Sequence, residues 1–117
     1  MKTQEFVRGQ GQYLADLPDQ DCLHVSFVRS PYAHAKVGEI RAPNSDALVA
    51  ICTGLDLLAE INPFRVVAPG HLDYEWYPLA HERALFVGEP VAAVVANSPY
   101  AAEDLAAEVE VEYEPLA

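Results

Sequence analysis

The sequence predicts an α+β fold: a mixed sheet with a few short helices packed on it. Three observations near the C-terminal end carry that prediction. Val91 to Ala96 is an unbroken apolar run between Gly88-Glu89-Pro90 and Asn97-Ser98-Pro99, as expected of a strand covered on both faces. Ala101, Ala102, Leu105 and Ala106 then fall on one helical stripe. Val109, Val111 and Tyr113 alternate with Glu110, Glu112 and Glu114, the period of a half-buried strand with a charged outer face. Strand, helix and strand in succession make an α+β or α/β unit.

The remaining elements follow from local punctuation. Gly9 and Gly11 flank a short extended stretch, Gln12 to Leu14, and Asp16 to Asp21 reads as a turn-rich loop. Leu23 to Arg29 is a strand, with Leu23, Val25 and Phe27 on one face and His24, Ser26 and Val28 on the other. Ser30-Pro31 breaks it, because Pro31 has no N–H for a ladder. Ala35 to Ile40 reads as a second strand. Pro43-Asn44-Ser45-Asp46 has the composition of a helix start, with Asn44 or Ser45 as its cap. Ala47 to Cys52 turns apolar and includes the strand Leu48 to Cys52. Thr53-Gly54 caps a brief helix, Leu55 to Glu60. Asn62 to Pro78 holds Pro63, Pro69 and Pro78 and shows no clear period. Loops of that length in a compact domain are functional, flexible or in contact with a partner. Ala84 to Val87 reads as a short strand. In the turn that follows, Gly88 is free to take a positive φ and Pro90 fixes its own. Ser98 caps the next helix, with Pro99 in its first turn.

Residues 1–117 fit one domain, and half of them are apolar, at 51%. No apolar stretch approaches the roughly 20 residues that a membrane helix requires. Met1 to Gln12 is polar and carries no secretory signal, so a cytoplasmic, reducing location is expected. The formal charge is −11, from 18 acidic and 7 basic residues. Such a surface repels nucleic acid phosphate and favours solubility.

Candidate chemistry is sparse. A carboxylate held in the Gly-Pro turn at Glu89 could have a raised pKa and act as a base. The plainer reading is a turn residue, solvated or paired with a nearby arginine. His24, His34, His71 and His81 form no close ligand pair, so a shared metal would need the fold to gather them. Cys22 and Cys52 belong to no C-x-x-C or zinc pattern. Cys52 reads as a small core residue, and a single disulfide between the two stays open. Gly9-x-Gly11 is too short for a dinucleotide fingerprint. In Tyr74-Glu75-Trp76-Tyr77-Pro78, core filling and partner contact are both open, since exposed Trp and Tyr favour interfaces.

Several motifs in fixed order point to one family. They are Phe6-Val7-Arg8-Gly9-Gln10-Gly11 with Tyr13 to Asp16, Arg29 to Ala35, Thr53 to Asp56, Val87 to Ala92, Ala102-Glu103-Asp104, and Val109 to Leu116. Together they resemble the N-terminal a/b hammerhead domain of the molybdenum-binding large subunit of the xanthine dehydrogenase, aldehyde oxidase and carbon monoxide dehydrogenase family. Leu17-Pro18-Asp19-Gln20-Asp21-Cys22 departs from the family's Leu-Pro-Gly type of turn, and Phe64 to Tyr77 matches no family pattern.

The resemblance implies an oxidoreductase whose full subunit uses a molybdenum–pterin cofactor to hydroxylate aldehydes, purines, aromatic N-heterocycles or carbon monoxide. Oxygen comes from water, and electrons leave through iron–sulfur and flavin subunits or domains. The catalytic glutamate and the pterin-binding loops of the family lie in large C-terminal regions. No catalytic, cofactor-binding or metal role therefore falls on any residue of this chain, Glu89 included. The leading expectation is a structural domain, inactive alone, that packs against the cofactor-binding domains of the large subunit. No nucleic acid or membrane partner is expected, and self-association of the isolated chain is. The alternative is an independent small interaction protein that reuses the fold, suggested by the starting Met1 and the stop just after the last strand.

Overall fold

The computed structural model describes residues 6–13, 16–17, 21–65, 70 and 75–117. Their elements run β1 (His24–Arg29), β2 (Ala35–Arg41), β3 (Leu48–Thr53), α1 (Gly54–Leu58), β4 (Phe64–Arg65), β5 (Glu75–Trp76), β6 (Arg83–Ala84), β7 (Pro90–Ala96), α2 (Pro99–Glu108) and β8 (Glu110–Pro115). They make one sheet of order β1-β7-β3, a second of order β6-β2-β8, and a hairpin of β4 and β5. Every pairing among the described residues is antiparallel. The expected mixed sheet is corrected accordingly. The strand–helix–strand unit at the C-terminal end does not return to its own sheet: α2 carries the chain from β7 in the first sheet to β8 beside β2 in the second.

The apolar run makes β7 the central strand of the first sheet, as its composition requires. Its Val91, Ala92, Val94 and Ala96 are fully buried. Ser98 caps α2, its side chain accepting from the Ala101 N–H, with Pro99 at the first turn. Val94, Ala96, Ala102 and Leu105 form the buried centre, ringed by Val28, Leu48, Ile51, Ala101 and Ala106. Burial of a side chain such as Val94 or Leu105 stabilises the fold by about 1.5–3 kcal/mol. Small residues on α2 let the helix lie close to the sheet.

Strand β1 alternates as expected, but its faces are assigned by the helix. His24, Ser26 and Val28 are half-buried, whereas Val25 and Phe27 are 53% and 46% exposed. The more polar side of the strand lies toward α2, and the more apolar side faces outward.

The second sheet is of the opposite kind. Val111 and Tyr113 are half-buried, and the glutamates of β8 face out. Their charge is met from β2: Lys36 Nζ donates to Glu114 Oε2 at 2.9 Å, and Arg41 Nη2 donates to Glu39 Oε2 and Glu112 Oε1, both at 2.6 Å. Exposed pairs of this kind contribute only about 0–1 kcal/mol each.

Three local expectations are revised. Pro43-Asn44-Ser45-Asp46 starts no helix. Ser45 accepts from the Leu48 N–H through its carbonyl and from the Ala47 N–H through Oγ, closing a tight turn into β3. The brief helix is Gly54–Leu58, ending earlier than the composition suggests. A Cβ at residue 54 would come within 2.6 Å of the Ala80 carbonyl oxygen, so a glycine is needed for close approach. The strand expected at Ala84 to Val87 is Arg83–Ala84 instead, and Phe86 and Val87 belong to the turn. Asn62 to Pro78 includes the hairpin of β4 and β5, although residues 66–69 and 71–74 lie outside the described part. Of the extended stretch expected at Gln12 to Leu14, residues 12–13 belong to no regular element and Leu14 lies outside the described residues.

Candidate functional site

The most highly organised part of the surface is where the two most distinctive motifs meet. Strand β1 runs antiparallel to β7, with Arg29 opposite Pro90 after a register shift. That places Ser30 against the Gly88-Glu89 turn. The Ser30 N–H donates to the Glu89 carbonyl at 2.9 Å, and the Gly88 N–H donates to the Ser30 carbonyl at 2.8 Å. Arg29 Nη1 donates to the Gly88 carbonyl at 2.9 Å. Ser30 Oγ donates to the Tyr32 carbonyl and accepts from the Tyr32 N–H, at 3.0 and 3.1 Å. Gly88 holds φ at +89°, a conformation that other residues rarely adopt. The two motifs are halves of one lock.

Glu89 sits inside this lock. It is 4% exposed, and Glu89 Oε2 accepts from the Leu85 N–H at 2.5 Å. The carboxylate braces its own turn and is not ion-paired among the described residues. It also lines an open pocket of about 320 Å³ with Tyr77, His81, Arg83 and Leu85. Buried polar groups are costly unless hydrogen-bonded, so the Leu85 contact explains how an acid is tolerated there.

The histidines are dispersed. His24 lies in β1 opposite Ala96. The His34 carbonyl accepts from the Leu116 N–H at 2.9 Å, and His34 Nδ1 lies 3.2 Å from the Ala117 oxygen. His81 packs edge-on against Tyr77, with ring centroids 4.8 Å apart. His71 lies outside the described residues. Among those residues, no cluster of three or more His, Cys, Asp or Glu is placed to hold a metal ion. Cys52 is a half-buried thiol in β3, and Cys22 is exposed just before β1. No bridge joins them.

In the aromatic cluster, Trp76 meets Phe64 across the β4–β5 hairpin at 6.5 Å in an edge-to-face contact, and Arg65 pairs with Glu75. Trp76 remains 44% exposed. Tyr74 lies outside the described residues.

Three titratable groups are shifted; hydrogen bonding to Glu39 and Glu112 raises the Arg41 guanidinium above its ordinary value. Asp56 closes a capping box on α1: its Oδ2 accepts from the Thr53 hydroxyl and the Thr53 N–H, both at 2.7 Å. These bonds hold the Asp56 carboxyl below its ordinary range, the hydroxyl contributing most. Burial raises the Tyr113 phenol above its ordinary value. Its ring packs on Tyr32 at 5.3 Å; the Ser30 side chain opposes the rise, although the buried hydroxyl closes no well-formed hydrogen bond among the described residues.

Sequence reading missed the Ser30–Glu89 lock because the pairing is non-local. The one available signal was that both motifs are unusually rich in turn-forming residues.

Residues 8–117 match the family model described as aldehyde oxidase and xanthine dehydrogenase, a/b hammerhead domain. The carbon monoxide dehydrogenase large chain of Afipia carboxidovorans is 36% identical over 95% of this chain and 14% of that protein. The 6-hydroxypseudooxynicotine dehydrogenase complex subunit gamma of Paenarthrobacter nicotinovorans is 32% identical over 98% of this chain and 16% of its own length. The crystal structure of quinoline 2-oxidoreductase from Pseudomonas putida 86 superimposes with a TM-score of 0.89 at 33% identity, covering 99% of this chain and 15% of that one. This chain thus spans only a small fraction of the length of the proteins it matches. By sequence and by fold, the chain belongs to the aldehyde oxidase and xanthine dehydrogenase family, as its a/b hammerhead domain.

Proposed function

We propose that this chain serves as the N-terminal structural domain of a molybdenum hydroxylase large subunit and is not catalytic by itself. The observation that carries the reading is the mismatch in coverage: 95% of this chain aligns with 14% of the carbon monoxide dehydrogenase large chain. The described residues add to it, because their one buried carboxylate, Glu89, braces a turn. On this reading the molybdenum–pterin cofactor belongs to other parts of the subunit. Its electrons pass to iron–sulfur and flavin partners. The substrate class is that of the family: an aldehyde, a purine, an aromatic N-heterocycle or carbon monoxide.

The test is turnover by the isolated chain with an aldehyde, xanthine and carbon monoxide in turn, each with an artificial electron acceptor. No turnover is expected. Activity in the isolated chain would end the proposal. A second reading, an independent small interaction protein with the same fold, draws support from the exposed apolar side chains of β1, which suit any apolar partner.

A further inference from the structure

Among the described residues, the first sheet has one face covered by α2 and an opposite face left largely open. Antiparallel register puts Val25 beside Val95 and Phe27 beside Ala93. On the other side of β7, Val95 meets Ala50 and Ala93 meets Cys52. This row is opposite to the one that packs under α2, and the only charge on it within the three strands is Arg29 at the end of β1. In an antiparallel sheet with one solvated face, that row is normally polar. The second sheet follows the rule, with Lys36, Arg41 and the β8 glutamates outward; the first sheet does not. Val25 and Phe27 are about half exposed, as is Val49 at the bulge of β3. One cation borders the row: the Arg29 guanidinium lies 5.7 Å from the Phe27 ring centroid. Of its five N–H donors, only one on Nη1 is used among the described residues, for the Gly88 carbonyl.

We infer that this bare face is the docking surface for the remaining segment of a molybdenum hydroxylase large subunit. The inference rests on the function proposed above. That segment meets Val25, Phe27 and Val95 with an apolar strip and presents a carboxylate or carbonyl to Arg29. Two observations select this occupant over a second copy of the chain. The matched relatives carry most of their length outside the span of this chain. Two copies, each at −11, repel one another, and like net charge opposes close association.

The test co-expresses the tagged chain with the molybdenum-binding remainder of a large subunit from the same genome and measures the complex recovered. Val25→Glu and Phe27→Glu should each lower recovery at least about tenfold, because the new carboxylate would be buried without a partner. Glu114→Gln, on the charged outer face of the second sheet, should leave recovery unchanged. Thermal melting of each isolated variant separates lost docking from lost fold. Hydroxyl-radical footprinting of the unmutated complex reads the face directly, and oxidation of Phe27 should fall several-fold on assembly. A complex that forms with Phe27 as reactive as in the isolated chain overturns the docking surface and leaves the structural-domain reading standing. No complex with the unmutated chain overturns that reading and the docking surface with it. Protection of Phe27 in the chain alone as strong as in the assembled complex gives the face to a second copy and overturns the assignment.

Discussion

Ser30 and Glu89 show how much a single position can hold. Ser30 is 2% exposed and bonds through both its main chain and its side chain. Glu89 holds the Leu85 N–H from within the turn. Glu89→Ala would leave that part-buried N–H without its protein acceptor and should cost about 1–2 kcal/mol. Glu89→Gln, which keeps an acceptor, should cost clearly less. Chemical denaturation of the two variants checks the ranking. Tyr113 makes the opposite case, since its buried hydroxyl closes no well-formed hydrogen bond among the described residues and has only the weak influence of the Ser30 side chain to lose. Tyr113→Phe should be neutral or stabilising by up to about 1 kcal/mol near pH 7. The raised phenol has a second consequence. The folded state keeps its proton to higher pH than the unfolded chain, whose value is 10.0. Stability is therefore intact below pH 10 and declines as pH rises above it. Melting curves in alkaline buffer should show that decline in the unmutated chain and a shallower one in Tyr113→Phe.

At the scale of elements, sequence reading succeeded where a signal is local. Ser98 with Pro99, Thr53 with Asp56, and Gly88 with Pro90 each carry their geometry within a few residues. It failed where pairing is distant. Strands β4, β5 and β6 are two residues each, too short for any period, and are defined only by their partners. Strand β1 is the most instructive failure. The alternation was legible, but not which side is covered, because a period of two says nothing about what lies on either side. The capping box on α1 gives a pH prediction. Thr53 lowers the Asp56 carboxyl below its ordinary value of 3.8. The stability it contributes is complete above 3.8 and lost as pH falls through the lower, folded value. Asp56→Asn should flatten the acid limb of the melting temperature below about pH 4 and change little at pH 7. The effect should be small, because the group is fully exposed to solvent.

The whole molecule combines two unlike sheets: one with its charges outward, the other with an apolar row outward. Among the described residues, no helix is long and apolar enough to cross a membrane. In the isolated chain that row should drive weak self-association, opposed by the net charge of −11. Sedimentation should show it increasing with salt, since screening shortens the range of repulsion to about 8 Å at physiological ionic strength. A strictly monomeric profile at high concentration and high salt would contradict this.

The most direct test of the central claim, that the chain is a structural part of a molybdenum hydroxylase large subunit, is to read the coding DNA beyond the codon for Ala117. A frame that continues into the long molybdenum-binding region of a large subunit, or an adjacent gene that encodes that region, is the predicted result. A stop codon with no such region beside it would contradict the account and turn the search to a different partner for the bare face of the first sheet.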